Sequence, residues 1–234
     1  MGKAYADLGK DGLAKKNYLK SIFLNPERPE AYLNIGDIYR REQKWDSASY
    51  YLRQGIGLQK ENVNLITNLG NVFFDQSNIE KDKKESLLIK ARHQFINALQ
   101  IDSLCLEANF GLGNCYWESS KYDSAATFYS ICVMLDSNDV INSNYYIEAL
   151  TRSGKEKLAE KLAMKLSLKY PDNATNWFDL TVLAAMKKDY KQAEIYMTKS
   201  IKSGNKDRSW FEEDVYLGDF KKQPGFKKLL NSLK

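Results

Sequence analysis

Apolar residues recur along most of the chain at spacings of three and four, which is the pattern of amphipathic helices. Inside this pattern a small residue returns at a nearly fixed interval. Its positions are Ala14, Ala48, Ala91, Ala125, Ala159 and Ala193, separated by 34, 43, 34, 34 and 34 residues. A period of this length predicts a chain built from repeated pairs of helices.

Other positions keep the same period as the alanines. An apolar residue and a glycine precede an aromatic residue in Ile35-Gly36-x-x-Tyr39, Leu69-Gly70-x-x-Phe73 and Leu112-Gly113-x-x-Tyr116. A bulky residue follows four positions after the alanine at Tyr18, Leu52, Phe95 and Tyr129. Because small side chains allow two backbones to approach closely, these positions predict where the paired helices cross.

The pattern resembles the tetratricopeptide repeat, a helix-turn-helix unit of 34 residues with the motif W-x2-L-G-x2-Y, then A-x3-F and a late proline. The late proline is kept as Pro26 and Pro171, whereas Ile147 and Thr181 replace the first-helix glycine in two units. The resemblance implies an all-α fold, a right-handed α-α superhelical solenoid of about six helical hairpins with a C-terminal capping helix. The closing segment from Leu217 resembles that of many bacterial members of the family.

Alignment on the alanines divides the chain into units. They are a partial repeat at 1–28, repeats at 29–62, 63–105, 106–139, 140–173 and 174–207, and a C-terminal cap at 208–234. The 43-residue step places nine extra residues, 77–85, inside the third unit. We expect them to extend its second helix by a turn or two and otherwise to form a solvated loop; the alternative is a contact spur at the groove edge.

The first unit begins part-way through its first helix, with Tyr5 in the aromatic position. A solenoid end without a polar cap exposes apolar surface. We therefore expect either a fragment of a longer protein or a subunit whose N-terminal end is covered, for example by a second copy of the chain. At the other end, Pro224 precedes one apolar helical face formed by Phe226, Leu229, Leu230 and Leu233, which predicts the cap.

Composition narrows the class of protein. Hydrophobic residues make up 43% and charged residues 28%, which is globular and not disordered. The net charge of +5 arises from interleaved signs, so a nucleic-acid partner is not expected. No apolar run is long enough to span a bilayer, so we expect a soluble segment without membrane contact. Its compartment, cytoplasmic or periplasmic, and any anchored remainder of a larger protein stay open.

The chain offers no recognisable catalytic or metal chemistry. His93 is the only histidine and has no close cysteine pair with which to share a metal, so we expect it to be exposed and inert. Cys115 and Cys132 take small apolar positions and are expected to be buried, whereas Cys105 lies in a turn and is expected to be accessible to thiol reagents. No phosphate-binding loop or nucleophile motif is present. We therefore expect no enzyme activity, no metal and no cofactor.

In the resembled family, the first helix of each unit lines a concave groove. The asparagines that fall there are Asn34, Asn68, Asn71, Asn114 and Asn144, and the aromatic residues are Phe74, Phe110, Trp117 and Tyr145. An asparagine amide has both a donor and an acceptor, which match an extended peptide backbone, and aromatic residues are typical interface anchors. The alternative is that the asparagines cap helices and that the aromatic residues complete the packing between repeats.

Two further observations concern the groove. Its inward positions in the fifth and sixth units also include Glu148, Arg152, Phe178 and Asp179. The positions at which some family members hold a terminal carboxylate with lysine and arginine carry Glu30, Leu33, Asn64, Thr67, Glu107 and Phe110 instead. An acidic C-terminal peptide is therefore not the expected ligand.

Two functions follow as hypotheses. The first is a non-catalytic scaffold that binds a peptide or helix of another protein in the groove. The second is an assembly or regulatory module of a larger membrane-anchored or enzymatic chain, which makes contact through its N-terminal end at Met1, Tyr5 and Leu8.

Overall fold

The computed structural model describes residue 2 and residues 10–233, and every regular element in that part of the chain is helical. The α-helices are α1 (Asp11–Leu24), α2 (Pro29–Arg41), α3 (Trp45–Leu58), α4 (Val63–Ile79), α5 (Lys84–Ile101), α6 (Leu106–Glu118), α7 (Tyr122–Leu135), α8 (Val140–Arg152), α9 (Glu156–Lys169), α10 (Ala174–Met186), α11 (Tyr190–Lys202), α12 (Arg208–Glu213) and α13 (Pro224–Asn231). Two 3-10 segments, Lys81–Lys83 and Val215–Lys222, interrupt the series. The predicted all-α repeat fold is confirmed.

The chain divides into two compact units, residues 1–121 and residues 122–234. In unit 1, α2, α4 and α6 are the first helices of their hairpins, and they pack side by side. The second helix α3 packs against α2 and α4, and the second helix α5 packs against α4 and α6. In unit 2, α8 packs against α7, α9 and α10, and α10 packs against α11. No helix among the described residues has the length and apolar character needed to cross a membrane.

The repeating alanines form the inner seam of these helix pairs. All six are completely buried, as predicted. The glycine of the third predicted repeat shows why small residues are needed, because a Cβ atom on Gly70 would lie 2.7 Å from Cε1 of Phe95. Gly111 approaches the same ring, so the Phe95 side chain fills the space between two first helices. Packing this tight leaves no room for a larger side chain.

The turn inside four of the hairpins has the same backbone geometry. Gln43, Ser120, Gly154 and Lys188 each have a positive φ, between 55° and 77°. The following backbone N–H donates to a carbonyl five residues earlier, as from Lys44 to Tyr39 at 2.9 Å. These bonds satisfy carbonyls that the helix end would otherwise leave unpaired, as in a Schellman motif.

The inserted residues 77–85 change the third hairpin in both of its helices. The first helices α2, α6, α8 and α10 have 13 residues each, whereas α4 has 17. The second helix α5 has 18 residues, against 14 in α3. The second helix is therefore longer, as predicted, and the first helix is longer by the same four residues. Only the short 3-10 turn at Lys81–Lys83 joins the two helices.

A side-chain hydrogen bond ties the start of a first helix to the segment before it. Tyr32 Oη donates to the carbonyl of Pro26 at 3.0 Å, and Trp177 Nε1 donates to that of Pro171 at 2.7 Å. Asn109 Nδ2 makes the equivalent bond to Ser103 at 3.1 Å. Pro26 and Pro171, the late prolines of the sequence pattern, each precede the first helix of a repeat. The fourth residue of that helix, Tyr32 or Trp177, is aromatic and donates the hydrogen bond to the proline carbonyl.

The C-terminal segment closes unit 2. Its buried residues include Phe211, Leu217, Phe220, Phe226, Leu230 and Leu233, which pack with Ala193 and Met197 of α11 and with Val182 of α10. Phe220 and Phe226 meet edge to face with their ring centroids 5.2 Å apart. The capping helix α13 therefore covers the apolar end of the last hairpin.

Candidate functional site

The first helices of unit 1 carry most of the polar and aromatic residues that the sequence assigns to the groove, and we call this set the polar face of unit 1. Its members are Asn34, Asp37 and Arg40 on α2, Asn68, Asn71, Phe74 and Asp75 on α4, and Phe110, Asn114 and Trp117 on α6. Spacings of three, four and seven residues place members of one helix on the same side. The apolar residues of these helices, such as Ile35, Leu65 and Leu112, are buried.

Two asparagines of this face are held by their own helices. Asn34 Nδ2 donates to the carbonyl of Glu30 at 2.6 Å, and Asn68 Nδ2 donates to that of Asn64 at 2.9 Å. These bonds fix the orientation of each amide, whose oxygen can still accept a hydrogen bond. Asn71 and Asn114 are half-buried.

An ion network joins α2 to α4 at the end of the polar face. Arg40 donates to Asp37 at 2.8 Å and also to Asp75 on the neighbouring helix. Burial lowers the pKa of the Arg40 guanidinium, but its bonds to Asp37 and Asp75 raise that pKa by more. Arg41 pairs with Asp37 and, at 2.8 Å, with Asp11 of α1. The charges of these arginines are thus balanced locally by carboxylates.

The remaining predicted groove residues belong to α4, α6 and α8. Phe74, Phe110 and Trp117 are all half-buried on α4 and α6, and their mutual contact stays a prediction. Asn144 and Tyr145 belong to α8 in unit 2. Asn144 Oδ1 is buried without a hydrogen-bond partner, and the Tyr145 ring lies 5.5 Å from that of Tyr129. The nine predicted residues are therefore divided between the two units.

Unit 2 contains a pocket of about 200 Å³ that the sequence pattern predicted only in part. It is lined by Glu148 and Arg152 of α8, by Phe178, Asp179 and Val182 of α10, and by Trp210, Asp214 and Tyr216 of the C-terminal segment, together with Thr151 and Thr175. The sequence pattern assigned Glu148, Arg152, Phe178 and Asp179 to inward positions. It missed the three residues from the C-terminal segment, because that segment lies outside the repeat register.

Charge is distributed unevenly in this pocket. Arg152 pairs with Glu148 at 2.9 Å, and its guanidinium lies 5.4 Å from the ring centroid of Tyr216. Asp179 Oδ2 is buried without a hydrogen-bond partner. Burial, reinforced by Glu148 and Asp214, raises the pKa of the Asp179 carboxyl well above its ordinary value. Burial also raises the pKa of Glu148, although Arg152 offsets part of the effect.

The cysteines and the histidine offer no reactive centre. Cys115 and Cys132 are fully buried as predicted, and burial raises the pKa of Cys115 to about 12. The expectation that Cys105 is accessible is wrong: it is only 8% exposed at the N-cap of α6, because the turn that contains it is packed against the helices. Its thiol donates to Glu107 at 3.7 Å, and burial raises its pKa. His93 is exposed on α5.

Two further expectations concern chemistry and the N-terminal end. Within the part of the chain that the structure describes, no group of three or more histidine, cysteine or acidic side chains is placed to hold a metal ion. The residues proposed for contact through the N-terminal end, Met1, Tyr5 and Leu8, lie outside the described residues.

Comparisons with known proteins agree with the observed helical repeats. Residues 29–62 and residues 90–133 match models of the tetratricopeptide repeat. The first match has the same bounds as the second predicted unit. The sequence matches none of the curated proteins with which it was compared.

Several solved structures are similar to this chain. PilF of Pseudomonas aeruginosa has a TM-score of 0.72 at 16% identity, over 94% of this chain and 93% of its own. A tetratricopeptide repeat protein of Parabacteroides merdae has a TM-score of 0.71 at 16% identity, over 98% and 86%. YrrB, described as having an unusual peptide-binding site, has a TM-score of 0.67 at 17% identity, over 84% and 96%. At these identities the similarity concerns the fold.

Proposed function

Since this chain is a tetratricopeptide repeat protein, we propose that it acts as a non-catalytic scaffold for another protein and that the polar face of unit 1 binds an extended peptide or a helix of that partner. Repeats of this kind generally serve protein interaction. One structural relative, YrrB, has a peptide-binding site according to its description.

The observation that carries the proposal is the hydrogen bonding of two asparagines of the polar face. Asn34 and Asn68 keep their amides in place through bonds to their own helices, so their side-chain oxygens are available to backbone N–H groups of a ligand. The ion network of Arg40 holds α2 against α4 and limits the rearrangement that binding would require.

The aromatic residues supply the remaining part of the proposed site. Phe74, Phe110 and Trp117 are half-buried and could anchor apolar side chains of the ligand. Asn144 and Tyr145 belong to unit 2 and are proposed as a separate contact within that unit. A ligand held by amides and aromatic rings should bind with little dependence on salt, because such contacts are not screened as ion pairs are.

Site-specific photo-cross-linking tests this location. Variants with p-benzoylphenylalanine in place of Asn71 or Trp117 should form adducts with a partner from a lysate of the source organism. The matched control places the same group at His93, which is exposed on a second helix. Adducts from the His93 position alone would contradict the proposal, and adducts only from a probe at Tyr5 would favour contact through the N-terminal end.

The partner identified in this way allows a quantitative test. The triple variant Asn71→Ala/Asn114→Ala/Trp117→Ala should bind it more weakly than the parent, and Trp117→Ala alone should cost about 2 kcal/mol if it is a desolvated anchor. Circular dichroism melting curves verify that the variants fold. Equal dissociation constants for the folded triple variant and the parent would exclude the polar face as the binding site.

A further inference from the structure

The pocket of unit 2 is lined by more acidic than basic residues. Glu148, Asp179 and Asp214 contribute carboxyl groups, and Arg152 is the one basic residue in its lining. Arg152 is already paired with Glu148. The side chains of Asp179 and Asp214 therefore have no basic residue of the lining bonded to them, and a cationic occupant would stabilise their ionised forms.

Asp179 provides a second, independent indication. Asp179 is part of the pocket lining, and its Oδ2 atom is buried and accepts no hydrogen bond from the protein. A buried polar atom normally has a partner, so an unpaired one calls for an explanation. A ligand N–H group would supply the missing donor, and a positively charged donor would also offset the cost of burying the carboxylate.

The aromatic lining suits the same kind of ligand. Phe178 and Trp210 meet edge to face with centroids 5.4 Å apart, and Tyr216 completes the wall. Aromatic faces attract cations through their quadrupole. Arg152 uses this combination within the protein itself, since its guanidinium contacts both the Glu148 carboxylate and the Tyr216 ring.

We infer that this pocket binds an alkylammonium group, with Asp179 as its hydrogen-bond acceptor and Phe178, Trp210 and Tyr216 enclosing its carbon chain. Such a group could belong to a lysine side chain of a partner protein or to a small free amine. The site goes beyond the proposed function, because all of its residues lie in unit 2 and none belongs to the polar face of unit 1.

Nuclear magnetic resonance gives a direct test. The chain has four tryptophans, so its ¹⁵N spectrum contains a small set of indole signals, and Trp210→Phe identifies the one from the pocket. The probes are n-butylammonium and a blocked glycine-lysine-glycine tripeptide. The Trp210 signal should shift saturably with at least one of them, and the shift should weaken as salt is added. Tighter binding of the tripeptide would indicate a protein partner, and equal or tighter binding of n-butylammonium would indicate a free amine.

The controls separate this site from general attraction to acidic surfaces. The same tripeptide with acetylated lysine should not shift the signal, because it lacks the charge. Asp179→Asn should weaken binding about tenfold, whereas Asp172→Asn, in the exposed turn before α10, removes the same charge elsewhere and should have little effect. Asp214→Asn provides a second pocket variant, because asparagine also caps helices and preserves the local turn.

Two results would overturn the inference. The first is the lack of a saturable Trp210 shift with either amine. The second is unchanged affinity in folded variants of both Asp179 and Asp214. The polar face experiments on unit 1 are unaffected by either result, so the two proposals fail separately.

Discussion

Asp179 makes the stability of the protein depend on pH in a defined direction. Its pKa is raised in the folded state by burial, and Glu148 of α8 and Asp214 of the C-terminal segment act in the same direction. The folded state therefore holds the Asp179 proton more tightly than the unfolded state does. The contribution of this carboxyl to the free energy of unfolding should be largest below its ordinary, unfolded-state pKa, and it should fall as pH rises from that value to the folded-state pKa.

Asp179→Asn should remove this dependence. The variant should be more stable than the parent by about 1 to 3 kcal/mol at a pH above the folded-state pKa, because asparagine removes a buried negative charge without a partner. The difference should be smallest at a pH below the ordinary carboxyl pKa, where the parent carboxyl is neutral in both states. Urea denaturation at both pH values measures the difference. Asp172→Asn serves as the control, and equal stability of the parent and Asp179→Asn at both pH values would show that Asp179 is not strained by burial.

Tyr32 tests the bond that joins a first helix to the preceding segment. Its hydroxyl donates to the Pro26 carbonyl at 3.0 Å, and the residue is only 8% exposed. Tyr32→Phe should lower the free energy of unfolding by about 1 kcal/mol, because it removes one hydrogen bond and leaves the ring in place. Tyr50→Phe removes an exposed hydroxyl as the control. If both variants unfold like the parent, the hydrogen bond contributes nothing measurable.

At the level of elements, the hairpin turns contain positions at which a substitution should raise the free energy of unfolding. Gln43, Ser120 and Lys188 adopt positive φ although they have side chains, and only Gly154 is a glycine. A left-handed conformation costs a residue with a Cβ atom about 1 to 2 kcal/mol relative to glycine. The sequence did not indicate this type of turn, because three of the four positions lack the glycine that normally marks it.

Replacement of Gln43 by glycine should therefore stabilise the chain. We expect Gln43→Gly to raise the free energy of unfolding by about 1 kcal/mol. Gln54→Gly makes the same chemical change at an exposed position inside α3, where glycine should cost about 1 kcal/mol. Opposite signs in thermal melts of the two variants support the turn geometry, and a loss in both would contradict it.

For the whole molecule, the period of the alanines predicted the repeat fold because burial at a helix crossing restricts residue size, and a size restriction is visible in one dimension. The pocket of unit 2 was not predictable in this way. Trp210, Asp214 and Tyr216 meet Asp179 only through the path of the C-terminal segment, which has no periodic pattern. Cys105 was misjudged for a related reason: its place in a turn was evident, but its packing against neighbouring helices was not.

The capping segment allows a test of how stability is distributed. In a repeat fold each element depends mainly on its neighbours, so damage at one end should remain local. Phe226→Ala removes a buried ring that contacts Phe220 and should cost about 3 to 5 kcal/mol in the packing of the cap. Hydrogen exchange should accelerate in α11 and α13 and change little in α7 of the same unit.

The control for this experiment is Lys227→Ala, which changes an exposed residue on the same helix. It should leave the exchange of α11 as in the parent. A uniform acceleration throughout unit 2 after Phe226→Ala would mean that the unit unfolds as a single cooperative block and that the cap is not a separate layer.

The nine additional residues of the third hairpin have a consequence for related sequences. Because α4 and α5 are each four residues longer than α2 and α3, the contact between Gly70 and Phe95 is kept and the hairpin is about one turn taller. A gain in one helix alone would leave an unpaired turn, and a gain of one or two residues would rotate the apolar stripe away from its neighbour. Length differences among homologues should therefore occur in steps of about seven to nine residues at this tip, and intermediate lengths should be rare.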